Sequence, residues 1–200
     1  IRARIGRHTT FLTMELDPFY VRSLKRRFPD LIVYNDSAER MLDYLALHSK
    51  KRADYIVSAN VARTVQVCRQ AVLDARRAIA WLADRGYERI GILGTSLGSC
   101  LALLTAAHEP LIRAQALNHI SPFFADVVWE GLSTAHVRAG LEGHINLEKL
   151  RTLWLPISPQ CYLERVRSKK TLLVYAKYDL TFPVRLSRAL VDEFRRREIP

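Results

Sequence analysis

The stretch Ile90-Gly-Ile-Leu-Gly-Thr-Ser-Leu-Gly-Ser99 constrains the fold of this chain more than any other. Its apolar beginning is typical of a buried β-strand, and the small residues that continue to Ala107 predict a helix. Between strand and helix, Gly94, Ser96 and Gly98 form the pattern G-x-S-x-G. Because glycine has no Cβ, it permits a sharp turn that strains the serine backbone and raises its hydroxyl above the strand ends. The pattern therefore predicts a strand-turn-helix unit with an accessible serine.

Strands and helices alternate along the rest of the chain. Short apolar runs predict strands at residues 11–14, 31–34, 55–57, 90–93, 112–117 and 172–175. Helices are predicted between them, at residues 17–28 and 38–48, in a long segment that ends at Gly86, and in a last segment that begins at Pro183. The face of the long helix is predicted to carry Val67, Ala71, Ala75, Ile79 and Leu82. This alternation predicts an α/β fold with a mostly parallel sheet flanked by helices.

Composition excludes several classes of protein. The chain has 200 residues, 49% of them hydrophobic, which suffices for one ordinary domain or for two pieces of which one is small. No apolar run reaches the roughly 20 residues of a membrane span, and no secretory signal precedes the first predicted strand. The cysteines are scattered without metal-ligand spacing, at positions 68, 100 and 161. We therefore expect reduced thiols, a cytoplasmic location and no metal site.

The net charge of +11 raises the question of a nucleic-acid partner. Lysine and arginine cluster at residues 25–27, 50–52, 165–170 and 195–197. Each cluster lies in a loop or near a predicted helix end, where positive charge also complements the helix dipole. We interpret the clusters as solvated surface and expect no nucleic-acid partner.

From about residue 60 to residue 200, the chain resembles α/β-hydrolase-fold proteins of the esterase and lipase-like group. The resemblance rests on the G-x-S-x-G turn and on residues 171–183, where an apolar strand precedes Asp179 and a proline-started helix. It implies hydrolysis of a small or lipid-like acyl substrate without a cofactor. Ser96 would be the nucleophile and Asp179 the acid that orients a histidine, with Asp126 as a weaker candidate acid. The amide of Leu97, at the start of the helix, would donate to the oxyanion.

The histidine of the triad is missing from its expected place. In the hydrolase order Ser, Asp, His, the base follows a further strand after Asp179, and no histidine lies between that residue and Pro200. His119 is the best placed substitute because it ends the predicted strand next to the nucleophile strand, although such a histidine more often bonds backbone or lines a pocket. The chain begins at Ile1 without methionine. We therefore expect an incomplete hydrolase, with its histidine beyond the last residue.

A lid is predicted between the last two strands. Residues 121–166 are expected to be mostly helical and to form an insertion over the site, in a truncated α/β-hydrolase-like fold. The segment is rich in aromatic side chains, which include Phe123, Phe124, Trp129 and Trp154. These side chains would either favour an apolar acyl group or belong to the core, and both interpretations stay open. The His-Gly loop that usually supplies a second oxyanion amide is absent before Ser96.

The first 58 residues carry a different resemblance. Residues 11–20, 27–30, 35–39 and 53–58 are similar to an S-adenosylmethionine-dependent methyltransferase of the phospholipid N-methyltransferase or rRNA adenine dimethylase type. The resemblance implies that Glu15 binds the ribose hydroxyls of that cofactor and that Asp36 lies near its adenine. We therefore predict a boundary between a methyltransferase-like fragment, residues 1–58, and a hydrolase-like domain, residues 59–200. The alternatives are that the first segment holds divergent early strands of one hydrolase domain, or that the chain is a non-catalytic α/β module.

Overall fold

A computed structural model describes residues 11–14, 26, 31–34, 56–179 and 182–200 of the chain. The chain divides into two compact units, residues 1–53 and residues 54–200. In the first unit, strands β1 (Phe11–Met14) and β2 (Leu31–Tyr34) pair in parallel, with Phe11 opposite Leu31. Both strands are confirmed at their predicted bounds. The helices predicted in this unit are outside the described residues, apart from the helical residue Arg26.

The second unit contains a three-stranded parallel sheet. Its strands are β3 (Ile90–Thr95), β4 (Ile112–Asn118) and β5 (Lys170–Val174), in the order β3-β4-β5. The predicted α/β class with a parallel sheet is thereby confirmed. In register, Thr95 lies opposite Asn118, and Asn118 lies opposite Val174. The carboxyl ends of the three strands are therefore level, so the residues that follow them meet at one edge of the sheet.

Helices account for most of the remaining described residues of this unit. They are α1 (Val61–Asp84), α2 (Leu97–His108), α3 (Phe124–Glu130), α4 (Ala135–Leu141), α5 (Leu147–Leu153) and α6 (Val184–Arg196). Short 3-10 helices occur at Leu132–Thr134, Leu155–Ile157 and Pro159–Val166. The mostly helical character predicted for residues 121–166 is confirmed. In the part of the chain described, no helix is both long enough and apolar enough to cross a membrane.

The strand predicted at residues 55–57 is wrong where the structure describes it, since Ile56 is helical and Val57 lies in a bend. The hydrogen bonds of this segment go into the start of α1 instead. The amide of Ser58 donates to Oγ1 of Thr64 over 3.2 Å, and this hydroxyl lies 3.3 Å from the carbonyl oxygen of Ser58. Asn60 caps the helix by accepting from the amide of Arg63. Polar side chains at a helix start compete with strand pairing for the backbone groups, and here they prevail over the apolar run.

Helix α1 ends as predicted but buries a different stripe of residues. Gly86 follows the helix with a φ of +83°, a conformation that favours glycine. The buried residues of α1 are Thr64, Cys68, Val72 and Ile79. Of the predicted apolar face, Ile79 is buried and Leu82 packs partly buried against the core. Two overlapping sets of residues in α1 have the spacing of a helix face. Packing against the rest of the unit buries the set that begins at Thr64.

The core of the second unit lies between the sheet, α2 and the segment 121–166. Trp154 is completely buried, and its Nε1 donates to the carbonyl oxygen of Val61 over 3.1 Å. Its ring meets Phe124 edge-on with 5.4 Å between the ring centres. The structure thus assigns Trp154 to the core. On the sheet, Leu93 and Leu172 are 75% and 58% exposed, and the register through Ala116 places both on the same face.

The two basic clusters of the second unit are largely engaged in local contacts. Arg197 donates to Glu193 over 3.0 Å and to Glu164 over 2.9 Å. Hydrogen bonds from Arg196 first, and also from Arg197 and Gln160, lower the pKa of Glu193 to about 2. Lys169 is buried, and its Nζ donates to two carbonyl oxygens of the segment that leads into β4, those of Glu109 and Ile112. These basic side chains therefore have hydrogen-bond partners within the second unit.

Candidate active site

The turn between β3 and α2 holds Ser96 in a strained conformation. Its φ is 56° and its ψ is −124°, a combination that residues with a side chain rarely adopt. The amide of Ser96 donates to the carbonyl oxygen of Asn118 over 2.8 Å, which ties the turn to the end of β4. The predicted strand-turn-helix unit is therefore present, and the hydrogen bond to the neighbouring strand maintains its geometry.

The two glycines of the motif have different roles. A Cβ on Gly94 would lie 2.1 Å from the carbonyl oxygen of Gly98 and 2.6 Å from the amide nitrogen of Ser99. Because both are backbone atoms, no side-chain rotation would relieve the collision. A Cβ on Gly98 would meet no described atom within 4 Å. Close backbone approach therefore requires a glycine at position 94 and not at position 98.

Ser99 is a further residue of this turn, and the sequence analysis did not identify it. Its side chain is fully buried, and its Oγ lies 2.8 Å from the carbonyl oxygen of Gly94 and 2.5 Å from that of Asn118. One hydroxyl thus links the end of β3 to the end of β4 beneath the turn. The sequence does contain a feature that could have identified Ser99. A serine in the first turn of an otherwise apolar helix is expected to bond a group outside the helix.

The start of α2 offers an amide to an anion at Ser96. Leu97 is the first residue of this 12-residue helix, and the first amides of a helix have no partner within it. Positive partial charge from the helix dipole collects at the same end. The hydroxyl of Ser96 makes no hydrogen bond within the described part of the chain. A negative oxygen bound next to Ser96 would therefore be stabilised by the Leu97 amide.

His119 and Asp179 lie in contact at the same edge of the sheet. Nδ1 of His119 is 2.6 Å from Oδ2 of Asp179, and the two side chains are 22% and 16% exposed. The approach is close but outside hydrogen-bond geometry, since this buried ring nitrogen has no hydrogen-bond partner in the described residues. Oδ1 of Asp179 accepts a hydrogen bond of 2.9 Å from the amide of Phe182. The carboxylate is thus held from one side by backbone and faces an imidazole on the other.

The backbone of His119 is also constrained. Its φ is 60°, and its amide donates to the carbonyl oxygen of Val174, the last residue of β5, over 2.9 Å. Ser96 directly follows β3 and His119 directly follows β4, while Asp179 lies in the loop after β5. The level strand ends therefore gather the three residues in the order serine, histidine, acid. Sequence reasoning named all three and did not foresee the contact between His119 and Asp179.

An apolar pocket adjoins Ser96. It has a volume of about 60 Å³. Ser96 and Leu97 line it together with residues that follow β4 and residues of α3, and Val57 and Phe182 complete the wall. Of the predicted lid aromatics, Phe124 lines the pocket and Trp154 does not. The pocket is therefore built mainly from aliphatic side chains, with polar groups confined to a few hydroxyls.

A second possible nucleophile lies in the pocket wall. Cys100 lines the pocket, but its thiol is buried, and burial raises the pKa of that thiol well above its usual value. Its Sγ also donates to the carbonyl oxygen of Ile157 over 3.1 Å. The neighbouring Cys68 has a pKa raised to about 12, likewise by burial. Because the thiolate is the reactive form of cysteine, a buried thiol with a raised pKa is a poor nucleophile, and Ser96 is the candidate nucleophile of the pocket.

The weaker candidate acid and the other described histidines lie in different surroundings. Asp126 is buried and accepts two hydrogen bonds from Arg151, of 2.5 and 3.1 Å, so an ion pair occupies the weaker candidate acid. His108 contacts the carbonyl oxygen of Leu104 through Nδ1 at 2.8 Å, as expected of a histidine at a helix end. His136 and His144 are exposed.

Glu15 and Asp36 are outside the described residues, so the S-adenosylmethionine site stays a prediction. Among the described residues, no cluster of three or more His, Cys, Asp or Glu side chains is suited to hold a metal ion.

No protein-family model matches this chain, and no curated protein matches it significantly. The functional argument therefore depends on the geometry of the site.

Proposed function

We propose that this chain has an α/β-hydrolase fold and is a serine hydrolase acting on an ester or a related acyl substrate. The observation that carries the proposal is the backbone of Ser96, with φ 56° and ψ −124°, at the junction of a parallel strand and a helix. Strain of this kind persists where the surrounding structure imposes it, and it is concentrated at functional sites. The apolar pocket beside Ser96 and the adjacent histidine-carboxylate contact support the same chemistry.

The residues suggest the following reaction. Oγ of Ser96 attacks the acyl carbonyl carbon and passes its proton to the imidazole, while the carbonyl electron pair becomes an oxyanion that the Leu97 amide stabilises. Collapse of the oxyanion breaks the bond to the alcohol, which takes the proton from the imidazolium and leaves an acyl-enzyme. Water then attacks this ester by the same sequence, and the acid product departs with Ser96 restored.

His119 is the histidine that best fits the role of base among the described residues. An acid that contacts Nδ1 orients the ring and favours its charged form, which leaves Nε2 for the nucleophile. Asp179 contacts Nδ1 at 2.6 Å. The hydroxyl of Ser96 does not bond His119 in this structure, and such contacts often tighten only when substrate binds. The alternative, a histidine from a further strand of the hydrolase pattern, stays a prediction.

Covalent labelling tests the proposal. We expect a fluorophosphonate probe to modify the native chain, and mass spectrometry of the digested protein to locate the adduct on Ser96. Iodoacetamide applied to the native protein provides the comparison for the buried thiols and is expected to leave Cys100 unmodified, because burial keeps that thiol protonated. Absence of any adduct on native protein, or an adduct only on another residue, would contradict the serine-hydrolase proposal.

Substitution of His119 tests the base separately. In His119→Gln, we expect the rate of labelling at Ser96 to fall by at least about 10²-fold, because general-base catalysis contributes roughly 10²–10⁴-fold. His136→Gln is the matched control, since this exposed histidine of α4 is not among the described residues that line the pocket. An unchanged rate in His119→Gln would assign the base to another histidine while leaving Ser96 as the nucleophile.

A further inference from the structure

We propose that the pocket beside Ser96 selects short acyl groups, of up to about four carbons, and that Val127, Phe182 and Leu186 set this limit. The inference rests on the proposed function, since it treats the pocket as the acyl site of Ser96. Val127 and Phe182 line the pocket, and Leu186 packs behind them. We name these three side chains the end-wall cluster.

The volume of the pocket limits the length of the acyl chain. An apolar cavity that binds benzene, a ring of six carbons, has a volume of about 150 Å³. The pocket has about 60 Å³, less than half of that volume, so its enclosed part holds only a few carbon atoms. A butyryl group fits this space, whereas an octanoyl group exceeds it unless the wall moves.

The lining of the pocket favours an apolar occupant over a polar one. Ile120, Phe124 and Val128 are each less than 10% exposed and contribute aliphatic or aromatic surface to the wall. Cys100 adds a thiol whose proton already has a partner in the carbonyl oxygen of Ile157. A charged acyl group would lose its hydration in this space without gaining a partner from these residues.

The end-wall cluster packs apart from the main core. Val127 belongs to α3, Phe182 precedes α6 and Leu186 lies in its first turn. Their exposures are 7%, 7% and 4%, yet they form a cluster separate from the one that contains Leu103 and Trp154. Removing methyl groups here should therefore enlarge the pocket without opening the core beneath the sheet.

Phe182 also connects the end wall to the acid. Its amide donates to Oδ1 of Asp179 over 2.9 Å, and its ring centre lies 6.0 Å from that of His119. An acyl chain long enough to push against Phe182 would therefore disturb the residues that hold the carboxylate. The pocket should discriminate against long chains both in binding and in the rate of the chemical step.

A binding experiment on Ser96→Ala protein tests the size limit without requiring catalysis. The probes are butyramide and octanamide, which carry the two acyl chains and no reactive ester, and the readout is the NMR shift of pocket methyl groups during titration. In an unlimited apolar site, each added methylene would strengthen binding about fourfold. We expect octanamide to bind no tighter than butyramide. We also expect Ser96→Ala/Val127→Ala to bind octanamide at least about fivefold tighter than Ser96→Ala does.

The control and the outcomes separate this inference from the proposed function. Ser96→Ala/Val137→Ala makes the same side-chain change in the main core, and we expect it to preserve the affinity ratio of the two amides. Octanamide binding at least tenfold tighter than butyramide in Ser96→Ala, or binding of neither, would overturn the size limit. Turnover of p-nitrophenyl butyrate by the native chain is measured in parallel. No turnover together with the expected amide preference would contradict the hydrolase proposal and leave the size limit of the pocket standing as a binding property alone.

Discussion

Ser96→Ala is expected to abolish hydrolysis of p-nitrophenyl butyrate while leaving the fold intact. The substitution removes the only atom proposed to attack the acyl carbon, and loss of a triad serine costs up to about 10⁶-fold in turnover. The remaining activity should be the slow attack of water on the bound ester, assisted only by the Leu97 amide and by binding in the pocket. Initial rates, corrected for spontaneous hydrolysis, measure the effect, and circular dichroism verifies that the variant is folded.

A hydroxyl outside the pocket provides the matched control for this prediction. Ser168 is exposed and is not among the described residues that line the pocket, so Ser168→Ala removes a hydroxyl without touching the site. We expect its rate to stay within about threefold of the unsubstituted chain, because surface changes of this kind have small effects. Equal rates for the native chain and Ser96→Ala would exclude Ser96 as the nucleophile.

Strain at Ser96 makes a companion variant informative. Ser96→Gly removes the same hydroxyl and also the Cβ that disfavours the positive φ of 56°. We expect Ser96→Gly to raise the free energy of unfolding by about 1 kcal/mol over Ser96→Ala, since glycine accepts this conformation at little cost. Urea denaturation of the two inactive variants measures the difference. A less stable Ser96→Gly would show that the turn is not strained.

Gly94→Ala is expected to disrupt the site, whereas Gly98→Ala is expected to be tolerated. A methyl group at position 94 would stand 2.1 Å from the carbonyl oxygen of Gly98, so the turn must open to admit it. Rearrangement of tightly packed backbone should lower the free energy of unfolding by about 3 kcal/mol or more. Displacement of Ser96 by even about 1 Å should slow its labelling by roughly 10²-fold.

The second glycine is the control for the first because the two differ only in their surroundings. A Cβ at position 98 has open space within the described part of the chain, and the residue lies in the first turn of α2. Alanine favours a helix over glycine, so stability should stay unchanged or rise by up to about 1 kcal/mol. Urea denaturation and fluorophosphonate labelling of the two variants give the comparison. Equal losses in both would contradict the close contact assigned to Gly94.

Local sequence patterns predicted much of this fold correctly. Strands β1 and β2 were predicted at their observed bounds, and α2 and α6 begin where the glycine motif and Pro183 indicated. The strand predicted at residues 55–57 failed because an apolar run has no intrinsic preference strong enough to outweigh a polar cap next to it. That cap is Asn60, whose side chain accepts from the amide of Arg63, next to the hydrogen bond between Ser58 and Thr64. Trp154 could not be placed from its spacing, since core and pocket aromatics follow the same helical period.

The sequence by itself determined the strand-turn-helix unit around Ser96 and the parallel arrangement of the strands, because both follow from residues close together in the chain. Only the tertiary structure decided which side chains meet. The contact of 2.6 Å between His119 and Asp179 depends on the register of β4 with β5 and on the path of the loop after Val174. The unequal demand for glycine at positions 94 and 98 depends on how closely two backbone segments approach. Such distances are set by packing across the sheet, which local residue patterns do not encode.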